Sequence, residues 1–83
     1  MSHERKLSTL RPGTKAIITR VDTSDSGQAN RLLEMGFIEG SPIEVAHECP
    51  WGKDPFAVHV RGGLIALRRS DAELIFIEDQ NHE

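Results

Sequence analysis

Hydrophobic and polar residues alternate over much of this chain with the period of two that marks β-strands. Residues 15–21, KAIITRV, are β-branched and apolar enough for a first strand, whose core face we expect to carry Ile17, Thr19 and Val21. Further alternating runs predict strands over residues 43–49, 56–61, 65–68 and 74–78. The pair Gly62-Gly63 predicts a two-residue hairpin turn. The chain is therefore expected to be mainly β, with about five short strands.

A helical pattern interrupts the strands after the first one. The positions i, i+3, i+4 and i+7 of one helix face are Ala29, Leu32, Leu33 and Gly36. We predict a short helix over residues 28–35, capped by the side chain of Asp25 or Ser26. The three apolar side chains of this face should pack on the sheet. Residues 70–73 predict one further capped turn.

Two glycines explain the change of pattern within RLLEMGFIEGSPIEV, residues 31–45. Gly36 falls where a helix needs a left-handed residue to end, and Phe37 or Ile38 should then fold back over the last helical turn. Gly40 falls in a second turn that also favours positive φ. Together the two turns bring the chain back, so that the next strand starts beside the first.

The folded domain is expected over residues 7–78, with residues 1–6 and 79–83 as flexible polar tails. Short alternating strands at close spacing favour a small barrel over an open sheet, because closure removes exposed sheet edges. We therefore predict a small SH3-like barrel of about five strands, with one short α-helix inserted after the first strand.

The size and charge of the chain argue against two classes of function. A core built from 83 residues supplies a net stability of only about 3–5 kcal/mol, which leaves little side-chain volume for an internal active site. We therefore expect no enzymatic activity. Ten Lys and Arg residues against thirteen Asp and Glu residues give a net charge of −3, which disfavours nucleic-acid binding.

Cysteine usage and the apolar runs indicate where the protein works. Cys49 is the single cysteine, so no intramolecular disulfide can form, as is usual in a reducing compartment. The start MSHERK leads into no apolar signal region, and the runs LIAL and LIFI are far shorter than the about 20 residues of a membrane span. We expect a cytoplasmic protein that reaches a membrane only through a partner.

The order of several motifs resembles the FeoA family, the ferrous iron transport protein A domains. The resemblance covers about residues 7–78, and Phe37 and Glu39 depart from it by standing where Leu and Pro are common. The segments that carry it are Leu10-x-Pro12-Gly13, RLLEMGFIEGS at 31–41 with Ile43 and Val45, Asp54-Pro55, Val60-x-Gly62, IALR at 65–68, and Asp71-Ala72-Glu73.

The resemblance implies a cytosolic SH3-like barrel that works with FeoB, a membrane protein with a cytosolic GTPase domain and a ferrous iron channel. It implies no catalytic residues. We therefore expect a small accessory protein of ferrous iron uptake that binds the cytosolic part of a FeoB-type transporter and modulates its assembly or activity. The alternative is a stand-alone regulatory domain, like the C-terminal SH3-like domain of metal-dependent repressors, that binds a transition metal. The oligomeric state is left open.

The helix and its return are the candidate partner-binding surface. A methionine beside an aromatic residue forms an adaptable apolar patch, and a lone tryptophan in a Pro/Gly loop often marks a contact surface. Core packing explains the same apolar residues as well. The candidate partner-binding residues are Arg31, Glu34, Met35, Phe37 and Trp51.

Two further groups of residues carry candidate chemistry. His47 and Cys49 lie two apart on one strand face and are candidate ligands for a transition metal such as ferrous iron. Two ligands are too few for a closed site, so packing roles are favoured and no cofactor is expected. Arg61, Arg68 and Arg69 suit phosphate or a partner's GTP, although a solvated strand face beside acidic residues explains them more simply.

Overall fold

Across residues 4–48 and 54–79, which the computed structural model describes, six strands form one antiparallel sheet in the order β1-β6-β2-β3-β4-β5. Two helices, α1 (Ser26–Glu34) and α2 (Arg69–Ala72), and a 3₁₀ helix (Leu7–Thr9) lie between strands. The mainly β class and the helix after the KAIITRV strand are confirmed. The strands are β1 (Glu4–Lys6), β2 (Lys15–Val21), β3 (Pro42–Glu48), β4 (Phe56–Val60), β5 (Gly63–Leu67) and β6 (Ile75–Asp79).

Strand β1 lies in the segment that we expected to be a loose tail. Its three charged residues pair with β6, and the Arg5 guanidinium donates to the Asp79 carboxylate at 3.0 Å. Glu4 accepts a hydrogen bond from the Thr19 hydroxyl at 2.6 Å. Backbone pairing and these side-chain bonds order residues that carry no apolar signal, so the paired structure extends beyond the predicted limits of 7 and 78.

The predicted core face of β2 is wrong. Ala16 and Ile18 are fully buried, whereas Ile17 and Thr19 are only half-buried. Both faces of this strand carry apolar residues, so alternation alone could not choose between them. The pairing of β2 with β6 also shifts register between residues 18 and 20, and such a bulge changes the face on which later side chains lie.

The core is one cluster of buried side chains from strands β2 to β6, the 3₁₀ helix and both α-helices. Its largest fully buried side chains come from nearly every element: Phe37, Phe56, Leu7, Ile18, Leu32, Leu67, Ile75, Ile77, Val45 and Val58. Val45 of β3, Val58 of β4 and Ile65 of β5 lie opposite one another, as the alternation predicts. Neither helix of the described residues is long and apolar enough to cross a bilayer.

The β4–β5 hairpin turns one residue earlier than expected. Val60 pairs with Gly63, so the two central residues are Arg61 and Gly62. Both have positive φ, 51° and 81°, which is the geometry of a type I′ turn that matches the twist of the flanking strands. The turn holds the Arg61 side chain at one end of the sheet.

Candidate partner-binding surface

The amino end of α1 is fixed by a side-chain cap. The Asp25 carboxylate accepts a hydrogen bond from the Gln28 N–H at 3.1 Å, and the helix begins at Ser26. Asp25 was one of the two predicted caps. The helix therefore starts two residues before the predicted position and presents a longer exposed face.

The carboxyl end of α1 is closed by a Schellman motif. The Phe37 N–H donates to the Leu32 carbonyl and the Gly36 N–H donates to the Leu33 carbonyl, each at 3.0 Å. Gly36 has φ 109°, as the predicted left-handed stop requires. The reversal places the Phe37 ring in the core, where it is fully buried.

A buried carboxylate ties α1 to α2. Asp71 is 6% exposed and accepts a hydrogen bond from the Gln28 side-chain amide at 2.8 Å. The Arg31 guanidinium donates to both Asp71 oxygens at 3.3 and 3.4 Å. These bonds set the orientation of α1 on the sheet. Sequence reasoning missed this role, because Asp71 lies 43 residues from Gln28 and 40 residues from Arg31 in the sequence, and no local pattern reports contacts over that distance.

Two large apolar side chains remain exposed around the carboxyl end of α1. Leu33 is 41% exposed and Ile38 is 39% exposed, on either side of the Gly36 reversal. The expectation that Leu33 packs on the sheet is wrong, because Leu32 and Phe37 fill the core beside it. We call Leu33, Ile38 and the polar residues Arg31 and Glu34 the α1 surface.

Arg61 borders the α1 surface from the β4–β5 turn. A Cβ atom built on Gly36 would lie 3.0 Å from Arg61 Cδ, so the arginine side chain lies directly over the glycine. A cation is favourable beside the carboxyl end of a helix, where the backbone dipoles leave partial negative charge. Arg61 also lines an open groove of about 470 Å³ on the sheet, together with Lys15, Glu44 and His59.

Three exposed carboxyl groups have shifted pKa values. The pKa of Glu73 lies below its ordinary value, because the Ser8 hydroxyl and the Lys6 ammonium both stabilise the carboxylate. The Thr19 hydroxyl, and after it Arg20, lowers the pKa of Glu4. The pKa of Asp22 is lowered by hydrogen bonds from the following Ser24 turn. None of these three carboxyl groups belongs to the α1 surface.

The FeoA domain matches this chain over residues 5–79. The chain belongs to the FeoA family. Its predicted identity is thereby confirmed, and the match covers every element that the structure describes except the first residue of β1.

Two proteins are similar to this FeoA domain, one in sequence and one in fold. A protein from Porphyromonas gingivalis, an Fe(2+) transport protein A/Fe(2+) transporter FeoB fusion protein, is 37% identical over 73 residues. Those residues are 88% of this chain, and the chain spans 8% of the length of that relative. The FeoA-like protein from Clostridium acetobutylicum superposes with a TM-score of 0.88 at 24% identity, covering 100% of this chain and 94% of that one.

A further relative confirms the SH3-like fold. FeoA from Stenotrophomonas maltophilia, a prokaryotic SH3 domain protein crystallised with zinc, is 31% identical with a TM-score of 0.77. The likeness covers 88% of each chain. The predicted SH3-like class is therefore confirmed for this FeoA domain.

Two of the predicted partner-binding residues lie together on the α1 surface, and a third, Phe37, is buried. Arg31 and Glu34 are exposed on α1, and Met35 is half-buried against the core. The prediction that Phe37 binds a partner is wrong, because its ring is 0% exposed. The ring packs beneath the α1 surface and is not part of it. Trp51 lies outside the described residues. Sequence reasoning missed Leu33, whose exposure depends on which residues fill the core.

Of the two predicted metal ligands of this FeoA domain, His47 lies within the described residues. The register of β3 shifts between Val45 and His47, so His47 is exposed although Val45, two residues earlier, is buried. Cys49 lies outside the described residues. Within residues 4–48 and 54–79, no group of three His, Cys, Asp or Glu side chains is placed to hold a metal ion.

The three arginines do not form one cluster. Arg61 lies at the β4–β5 turn, whereas Arg68 follows the opposite end of β5. Arg69 stacks on the Phe56 ring at 4.4 Å and donates to the Ser8 carbonyl at 2.8 Å, so it has a structural role. A single phosphate therefore cannot contact all three.

Proposed function

We propose that this FeoA domain is a cytoplasmic accessory protein of ferrous iron uptake, which binds the cytosolic part of a FeoB-type transporter. The observation that supports the proposal is the P. gingivalis relative, in which an FeoA sequence and a FeoB transporter share one chain. Fusion keeps two partners at high effective concentration, which favours even a weak contact between them. The domain modulates the assembly or activity of the transporter and carries out no catalysis of its own.

The α1 surface is the part of the domain that we assign to this contact. Exposed Leu33 and Ile38 supply an apolar centre, and the charged side chains of Arg31 and Glu34 surround it. An apolar centre with a polar rim is the usual anatomy of a protein interface. The Schellman turn and the Asp71 bonds hold this surface in one conformation, which lowers the entropic cost of binding.

Binding to the transporter tests the proposal directly. We expect the chain to co-purify with a full-length FeoB-type transporter in detergent, and with its isolated cytosolic domain. Leu33→Asp should weaken the affinity by about tenfold or more, because a buried leucine contributes about 1.5–3 kcal/mol. Asn30→Asp adds the same charge at another exposed position of α1 and should bind like the unchanged chain.

One result would contradict this function, and a second would contradict the surface assigned to it. One is the absence of any association with either form of the transporter, with GDP, with a GTP analogue and without nucleotide. The other is equal loss of affinity in Leu33→Asp and Asn30→Asp, which would show that charge alone, rather than the apolar centre, controls the contact.

We also propose that the contact requires no cofactor. Calorimetry with ferrous iron under reducing conditions should give no heat above that of the buffer. Stoichiometric heat would instead support the alternative function, a regulatory domain that binds a transition metal. Zinc binding is an observation on S. maltophilia FeoA, and His47→Ala and Cys49→Ala would show whether these two residues take part here.

A further inference from the structure

The two edges of the sheet differ in their protection against strand pairing. Edge strand β1 has three residues, all of them charged, and Arg5 is held in an ion pair with Asp79. Edge strand β5, by contrast, reads GLIAL and has no charge and no proline. It also pairs with β4 without a bulge. Proteins usually block exposed edges with charges, prolines, bulges or short strands, and β5 has none of these devices.

The turn geometry determines which backbone groups of β5 point away from the sheet. In a hairpin with a two-residue turn, the residues that flank the turn exchange hydrogen bonds, and the pattern then alternates along the strands. Gly63, Ile65 and Leu67 therefore bond to β4. Leu64 and Ala66 direct their N–H and C=O groups outward, where no described residue bonds to them.

The side chains of the same two residues are also exposed. Leu64 is 55% exposed, the highest value among the large apolar side chains of the described residues. Ala66 lines a second open groove, of about 320 Å³, with Pro55 and Arg68. An added strand would cover both the free backbone groups and this apolar surface.

The charge at the carboxyl end of β5 indicates what kind of strand fits. Arg68 follows the strand and forms no ion pair with a described residue. At the other end of β5, the Arg61 side chain lies over Gly36 and lines the groove of Lys15 and Glu44, away from this edge. Asp54 lines the groove beside Arg68, but its carboxylate accepts the Arg69 N–H at 2.9 Å.

We propose that the β5 edge binds an extended segment of a partner protein as a seventh strand. The segment has apolar residues at alternate central positions and a carboxylate at the end that meets Arg68, which lines the groove beside Ala66. The inference goes beyond the transporter contact, since it rests on backbone groups of another element and holds for any partner with such a segment.

A designed peptide tests this edge in the full-length chain. The probe is the acetylated and amidated peptide EEVTVTVEE, and its control is KKVTVTVKK. We expect the acidic peptide to bind several-fold more tightly than the basic one, because one of its acidic ends meets Arg68. In amide NMR spectra of the ¹⁵N-labelled chain, Leu64 and Ala66 should shift and become protected from hydrogen exchange.

Two matched variants separate the backbone contact from other effects. Ala66→Pro removes an outward N–H and keeps the bonds to β4, as proline is tolerated on edge strands, and it should weaken peptide binding by several-fold to about tenfold. Ala66→Val keeps the donor and should bind like the unchanged chain. Arg68→Glu should reduce the preference for the acidic peptide without removing any backbone hydrogen bond between β4 and β5.

Several results would overturn the inference. They are shifts that avoid β5, equal affinity for the two peptides, or a chain dimer in sedimentation that Ala66→Pro dissociates, which would assign the edge to a second copy. If circular dichroism shows that Ala66→Pro is unfolded, two other measurements test the inference. They are the relative affinity of Arg68→Glu for the acidic and basic peptides, and the hydrogen-exchange protection of Leu64 and Ala66 in the unchanged chain.

Discussion

Gly36 follows the end of α1 and lies directly beneath the Arg61 side chain. Replacing Gly36 with alanine tests this arrangement. The backbone at Gly36 has φ 109°, where a residue with a Cβ is strained by about 1–2 kcal/mol. The new Cβ would also lie 3.0 Å from Arg61 Cδ, and moving that side chain from its rotamer costs about 0.5–1.5 kcal/mol. Gly36→Ala should therefore destabilise the fold by about 2–3 kcal/mol.

Thermal and denaturant unfolding measure this loss. For a domain of this size, a change of 2–3 kcal/mol lowers Tm by about 10–20 °C. Gly40→Ala is the control, because Gly40 has φ 89° but no atom within 4 Å of its added Cβ, so only the backbone strain remains. The difference between the two variants isolates the contact with Arg61.

A double-mutant cycle checks the cause. Arg61→Asn removes Cδ and keeps a residue that tolerates the φ of 51° at this position. In this background the cost of Gly36→Ala should fall by about 0.5–1.5 kcal/mol. An unchanged cost in the Arg61→Asn background, or a cost of Gly36→Ala below about 0.5 kcal/mol, would refute the reasoning.

Three further predictions concern the scaffold beneath the α1 surface. Phe37→Ala should cost about 3–5 kcal/mol of unfolding free energy, whereas Ile38→Ala at the exposed neighbour should change it by less than about 1 kcal/mol, as urea titration will show. Asp71→Ala should cost about 1–2 kcal/mol by leaving its amide partner unsatisfied, and Asp71→Asn, which keeps an acceptor, should cost less in the same titration. Because the pKa of Glu73 is lower in the folded than in the unfolded chain, its contribution is present above pH 4.5 and is lost as pH falls through the folded-state pKa. Urea midpoints should therefore decline less between pH 6 and pH 3 in Glu73→Gln than in the unchanged chain, and equal declines would contradict this assignment.

Local chemistry made the ends of α1 predictable. Asp25 accepts from a backbone N–H three residues ahead, and Gly36 supplies the left-handed residue that ends the helix. Both signals lie within a few residues of the structure that they specify. The hairpin signal at Gly62 was also local, but it could not distinguish a turn centred on Gly62-Gly63 from the observed turn centred on Arg61-Gly62.

Features that depend on distant contacts were not predictable. The predicted core face of β2 was wrong for two reasons. Alternation gave apolar residues on both faces, and the bulge after Ile18 depends on pairing with β6. The exposure of Leu33 depends on Phe37 entering the core beside Leu32. The Asp71 bonds join segments 40 residues or more apart in sequence, and nothing near Asp71 indicates its partners.

Interface mapping by NMR tests the central claim that the domain acts through the α1 surface. The ¹⁵N-labelled chain is titrated with the unlabelled cytosolic part of a FeoB-type transporter. We predict that the largest amide shifts centre on Leu33, Gly36 and Ile38 and extend to Arg61. Shifts confined to β1 and β6, or no shifts at saturating partner concentration, would contradict the account.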